Sequence, residues 1–143
     1  MIKLITTIQS FTDVITNSSS SVFIMHEDDA HYYNCLDNTN GCITINPLNL
    51  EWIKQSWLEE WELIFDYFNL DKNIISKQII NDYFSYWETP SKDTWETWVE
   101  NNKDLLESEL SDKYLVEIED HFENAYEVTE QAYGDAIFSE SRH

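Results

Sequence analysis

The sequence predicts an α+β fold: a small, mainly antiparallel sheet drawn from the N- and C-terminal segments, packed by three or four helices from the middle of the chain. Three observations predict it. Short β-branched and aromatic runs lie near both ends. Apolar residues in the middle recur at three- and four-residue spacing. Only two Gly and two Pro punctuate 143 residues, which favours long elements.

The elements follow in chain order. Lys3-Leu4-Ile5-Thr6-Thr7-Ile8 and Ser21-Val22-Phe23-Ile24-Met25 read as strands. Between them, Thr16 to Ser21 is a polar run whose side chains bond to their own backbone, as turns require. Gly41-Cys42-Ile43-Thr44-Ile45 alternates like a third strand, ended by Pro47, so the first fifty residues read as extended structure.

From Asn49, a good N-cap residue, Ile53, Trp57, Trp61, Ile64, Phe65 and Phe68 form one helical stripe, with Glu51, Lys54, Gln55, Glu59, Glu62 and Asp66 opposite. A second helix is predicted from Asp71 to Trp87, broken by Pro90. Ser91 caps a third, with Asp93 complementing the dipole in its first turn and Trp95, Trp98, Val99, Leu105 and Leu106 buried. The last thirty residues fit a strand at 114–119, a helix at 122–132 and, after Gly134, a strand at 135–139. Leu115, Ile118, Phe122, Ala125 and Thr129 also fit a helical stripe, so periodicity alone leaves this region open. A chain of 17.0 kDa suits one domain with a real core, so residues 1–143 are expected to form a single acidic domain.

Charge is the most unusual property. Twenty-eight Asp and Glu face eight Lys and Arg, for a formal net charge of −20. Residues 1–50 sum to −4, 51–100 to −7 and 101–143 to −9. Self-repulsion makes this imbalance a burden on a compact body. Aromatic content of 15% excludes a disordered acidic tail. No basic cluster can be assembled from seven Lys and Arg142, so direct nucleic-acid binding is not expected.

No apolar run of 18 residues exists to span a membrane. Met1 to Ile5 gives way at once to Thr6, Thr7, Gln9 and Ser10, unlike a signal-peptide core. With two cysteines, expected as thiols, a cytoplasmic location is expected.

The segment Phe11-Thr12-Asp13-Val14-Ile15-Thr16-Asn17-Ser18-Ser19-Ser20-Ser21-Val22-Phe23-Ile24 resembles the F-V-T-N-S-S-S-S-S-F opening of many small uncharacterised proteins of bacteriophages and their bacterial hosts. Here Thr12 and Asp13 intervene between Phe and Val, and Val22 replaces the serine before Phe23. The resemblance covers about fourteen residues and brings no activity with it. It implies a phage or mobile-element setting, and hence the cytoplasm of a host cell.

His26, His31, Cys35 and Cys42 are zinc-ligand types, but their H-x4-H-x3-C-x6-C spacing matches no common structural site, so no metal or other cofactor is expected. The serine run lacks a nucleophile elbow and reads as a capped turn. Carboxylate pairs such as Asp28-Asp29, Glu59-Glu60 and Glu117-Glu119 are too numerous to single out an acid/base couple, and no enzymatic activity is expected. Trp57, Trp61, Trp95 and Trp98 read as core, while Trp52 and Trp87 fall off the stripes as candidate interface anchors.

Duplex DNA carries one charge per about 1.7 Å of axis, so twenty charges match about 34 Å of duplex. A 143-residue domain has a radius of gyration of about 14 to 15 Å, and hence a diameter comparable to that length of duplex. The expected function is therefore a phage-type inhibitor that imitates nucleic acid and binds a basic, nucleic-acid-binding host defence protein. Its expected contact residues are Glu59, Glu62, Asp66, Asp104, Glu107, Glu109, Glu117, Glu119, Asp120, Glu123, Glu127 and Glu130. The alternative is a virion structural or assembly protein with aromatic-rich subunit contacts.

Overall fold

A computed structural model describes residues 19–71 and 90–142. The predicted strand Lys3–Ile8, most of the predicted helix from Asp71 to Trp87, the anchor Trp87 and the motif residues Phe11–Ser18 lie outside the described residues. Within them the fold is α+β, with six helices and a four-stranded antiparallel sheet.

Strand β1, Ser20–His26, begins the described chain. Its Val22, Phe23, Ile24 and Met25 are all fully buried, the continuous apolar run of a strand covered on both faces. With β2 (Ile43–Pro47), β3 (Lys113–Glu119) and β4 (Phe138–Arg142) it forms a sheet of order β2-β3-β1-β4. β1 and β4 pair antiparallel from Ser20↔Arg142 to Ile24↔Phe138. The backbone bonds Glu119 N to Cys42 O (2.9 Å) and Leu48 N to Lys113 O (3.1 Å) set β2 antiparallel to β3. The sheet thus joins segments from early and late in the chain, as the sequence predicts.

Between β1 and β2 the structure differs from the predicted extended chain. Helix α1, Glu27–Asn34, follows β1 directly. Glu27, Asp28 and Asp29 occupy its first turn, where carboxylates complement the helix dipole, and Ala30 and Tyr33 are buried three positions apart. Asn38, Asn40 and Gly41 then take left-handed backbone angles (φ 60°, 55° and 77°), which turn the chain into β2.

Contacts divide the chain into two compact units: residues 19–46 with 114–142, and residues 47–71 with 90–113. In the first, Phe23, Met25, Val116 and Ile118 point from one sheet face onto Ala30 and Tyr33 of α1 and Ala132 of α6 (Ala125–Asp135). The Tyr33 hydroxyl donates to Asp135 Oδ2 at 2.7 Å, tying α1 to the end of α6. Burial, and then the Asp135 carboxylate, push the Tyr33 phenol far above its ordinary range.

The second unit is helical. Asn49 caps α2 (Leu50–Gln55), its side chain accepting from Trp52 N at 2.8 Å. The predicted single stripe from Asn49 to Phe68 is divided here: Ser56 Oγ bonds back to Trp52 O at 2.8 Å, and α3 (Trp57–Tyr67) starts afresh. Ser91 caps α4 (Lys92–Asn101) as predicted, accepting from Thr94 N at 3.1 Å. The third predicted helix also divides, at Asn102, whose Nδ2 donates to Trp98 O at 2.8 Å, and α5 spans Lys103–Leu110. The new phase buries Leu106 and Leu110 and leaves Leu105 44% exposed, correcting the prediction that Leu105 is core.

Ile53, Trp61, Leu63, Ile64, Phe65, Trp95 and Val99 are also buried in this unit. Trp57 and Trp98 are half-buried, so two of the four predicted core tryptophans sit at its margin. Trp98 still stacks on Trp95, with ring centroids 5.1 Å apart. Trp52, expected to be off the stripe, is half-buried too.

Towards the C-terminus, the predicted strand at 114–119 is β3, one residue longer. α6 and β4 each begin three residues later than predicted. Asn124 adopts a left-handed φ of 69°, which keeps the helix from starting earlier. Gly134, expected between the helix and the closing strand, lies inside the helix, and the Ala136 N to Ala132 O bond closes its last turn.

Candidate functional site

The twelve predicted contact carboxylates divide equally between the two units. In the helical unit, Glu59 and Glu62 of α3 and Asp104, Glu107 and Glu109 of α5 are exposed, and Asp66 is half-buried. This unit has four lysines among its described residues. Lys54 pairs with Glu100 and holds its carboxyl below the usual range, while Lys113 Nζ reaches Glu109 O at 2.6 Å and Asp112 at 3.1 Å. One acid is inside: Glu60 is only 4% exposed.

The sheet unit is more one-sided. Its described residues hold twelve carboxylates and one cation, Arg142. Alternation along β3 sets Glu117 and Glu119 opposite the core residues Val116 and Ile118. Glu117 is engaged within the fold: it accepts from Ser20 Oγ at 2.8 Å and lies 3.8 Å from Arg142 Nη1. Ser20 and Arg142 are register partners across β1 and β4, so this small polar row crosses three strands. Glu117 is thus a stabilising residue as well as a carboxylate of the surface.

Asp120, Glu123, Glu127 and Glu130 are exposed. Asp120 and Glu123 lie on the turn into α6. Glu127 and Glu130 lie on α6 itself, whose Ala125 and Ala132 are buried. Near them stands Tyr126, 75% exposed, the most exposed of the large hydrophobic residues described. A cleft of about 440 Å³ opens here, lined by Asp120, Phe122, Asn124, Tyr126, Glu127 and Thr129 among others. It brings two of the predicted carboxylates together with two aromatic rings.

One helical turn pair onward, Tyr133 packs edge-on against Phe23, with centroids 5.0 Å apart. Its hydroxyl lies 3.3 Å from Ser21 Oγ and 3.4 Å from Ser141 Oγ, which are themselves register partners. These hydroxyls stabilise the phenolate and lower the Tyr133 pKa.

The four His and Cys residues of the predicted group do not come together as one cluster. Cys42 is buried and His26 exposed, while exposed Cys35 Sγ sits 3.9 Å from His31 Nε2, one helical turn away. His31 also lines a cleft of about 220 Å³ with Glu27, Asn34, Ile45 and Tyr114. Among the described residues, no three His, Cys, Asp or Glu side chains are grouped as metal ligands. Nor is any described helix long and apolar enough to cross a membrane.

No protein-family model, curated protein or solved structure matches this chain. The geometry of its own residues therefore carries the functional argument.

Tyr126 and Tyr133 are absent from the sequence-predicted residues, and Phe122 is read there only as a member of a possible helical stripe. A signal existed for the first. Once Ala125, Val128 and Ala132 are taken as the packed face of α6, Tyr126 falls outside that phase, so an aromatic is placed among carboxylates on the solvent side. The clustering of Ser21 with Ser141 and Tyr133 depends on strand register, which no local pattern contains.

Proposed function

We propose that this protein is an acidic nucleic-acid mimic that occupies the nucleic-acid-binding surface of a basic host protein, as a phage-encoded inhibitor of a bacterial defence factor would. The observation that carries this reading is the charge of the sheet unit's described residues: twelve carboxylates against Arg142, which itself faces Glu117. A field of one sign attracts a cationic partner over a distance set by the Debye length, about 8 Å at physiological salt. Exposed carboxylates on a folded frame resemble phosphates in charge and in hydrogen-bond acceptance, and a Lys- or Arg-lined groove does not distinguish the two at long range.

Single exposed ion pairs contribute about 0–1 kcal/mol, so binding of this kind is collective. The test begins with capture from a bacterial lysate at low and high salt, followed by purification of the partner and competition with duplex DNA or RNA. The expected result is mutually exclusive binding that weakens steeply with salt. Replacing Asp120, Glu123, Glu127 and Glu130 together by their amides is expected to weaken it far more than any single replacement, with the melting temperature retained. A partner that holds nucleic acid and this protein simultaneously refutes mimicry.

A further inference from the structure

We propose that the cleft at the start of α6 is a guanidinium-binding site, which seats an arginine side chain of the basic partner against the exposed Tyr126 ring and beside the Asp120 and Glu127 carboxylates, with the half-buried Phe122 completing the apolar lining. The proposal rests on the acidic-surface reading and gives it a location and a residue preference. Three features support it. The cleft, about 440 Å³, combines aromatic and anionic lining. Tyr126 is 75% exposed, so a ring that would ordinarily be packed is open to a ligand. The one Lys or Arg among the described residues of the surrounding unit, Arg142, faces Glu117 instead, and His121 Nε2, 3.5 Å from Asp120 Oδ1, competes for that carboxylate only when it is protonated.

Other ligand classes fit less well. A helix N-terminus ordinarily favours anions, with a partial charge of about +0.5. Here Asp120 and Glu127 place two full negative charges in the same cleft, so an anion would be repelled. A metal ion would find only two carboxylates there, and no group of three ligands occurs among the described residues. A lysine ammonium would be attracted by the charge. However, it is compact and strongly hydrated, whereas the planar guanidinium stacks on aromatic faces and pairs with carboxylates through several donors. Arginine is therefore the preferred occupant.

The test uses the full chain and two synthetic peptides, nona-arginine and nona-lysine, titrated calorimetrically at 0.15 M and 0.5 M salt. Wild-type protein is expected to bind the arginine peptide more tightly and to retain more of that affinity at 0.5 M. Tyr126→Ala is expected to lower arginine-peptide affinity about three- to fivefold, as loss of an exposed cation–π contact does. Tyr126→Phe should restore it, and lysine-peptide affinity should barely change. Backbone amide shifts on adding the arginine peptide should concentrate at residues 120–129.

Binding that is equal for both peptides and indifferent to Tyr126→Ala overturns the guanidinium site but leaves the acidic-surface reading standing. Absence of binding to either peptide at 0.15 M salt overturns both. Amide shifts at residues 120–129 with inorganic phosphate, and none with the arginine peptide, would make the cleft an anion site and refute the proposal. Because Tyr126 is exposed, its replacement is not expected to unfold the protein, and an unchanged melting temperature verifies this.

Discussion

Removing the Trp95 side chain tests the helical unit at its centre. Trp95 is fully buried, its indole Nε1 donates to Ile53 O at 2.8 Å, and its ring stacks on Trp98 at 5.1 Å and tilts against Phe65 at 6.2 Å. Trp→Ala truncation in a core costs about 3–5 kcal/mol in lost transfer energy and cavity. Orphaning a buried carbonyl adds about 1–3 kcal/mol. Ser56 Oγ still lies 3.4 Å from that carbonyl, so the lower end applies.

Trp95→Ala should therefore cost about 4–6 kcal/mol, against a typical domain stability of about 5–15 kcal/mol. Trp95→Phe keeps much of the packing but loses the N–H donor and should cost about 2 kcal/mol. Urea unfolding followed by far-ultraviolet circular dichroism measures both. With a slope of about 1–3 kcal/mol/M, a loss of 4 kcal/mol lowers the midpoint by more than 1 M. Trp57, half-buried, should lose distinctly less on the same change to Ala. If Trp95→Ala and Trp57→Ala shift the midpoint equally, or neither shifts it, the buried indole is not what organises α2, α3 and α4.

Two further outcomes follow from hydrogen bonds. Because the Tyr33 phenol is held protonated well above its unfolded value of about 10, the stability it confers is complete below pH 10 and lost as pH rises beyond. Tyr33→Phe should lower stability at pH 7 by about 1.5–3 kcal/mol through loss of the Asp135 bond, and its denaturant midpoint should fall less than the wild type's between pH 10 and 11. Parallel midpoint curves for the two proteins would refute the assignment. Ser91→Ala should cost about 1 kcal/mol by uncapping α4, and Ser91→Asp should recover most of it, both read as changes in urea midpoint.

The fold class was legible because its determinants are local. Val22 to Met25 is too apolar and β-branched for a loop, and Asn49 and Ser91 announce helix starts through side chains that cap. What sequence missed turns on less local physics. Ser56 and Asn102 look like ordinary helix-face residues, yet each bonds back to a carbonyl four residues earlier where its helix breaks. That bond is available to any Ser or Asn in a helix, and packing decides whether a break follows. Helix α1 was hidden because its Glu27-Asp28-Asp29 start lacks a side-chain cap, and only Ala30 and Tyr33 face the core. For the candidate site, the carboxylates were legible as charge. Which of them answer to the fold, as Glu117 does through Ser20, depended on strand order.

The disposition of the cations bears on why so much negative charge is retained. Lys54 pairs with Glu100, Lys113 binds Asp112 and the Glu109 carbonyl, and Arg142 faces Glu117. These contacts pin helices and strands locally and leave the overall imbalance uncorrected. The buried aromatic and aliphatic residues must therefore hold the fold against its own repulsion. The field that strains the free protein is the field that would attract a cationic partner. Added salt screens both, so it should raise the stability of the free chain while lowering its affinity for the partner. A chain whose acidity served solubility alone would share the first response. The second belongs to a surface built to meet positive charge, and opposite salt responses of stability and binding are what the mimic reading requires.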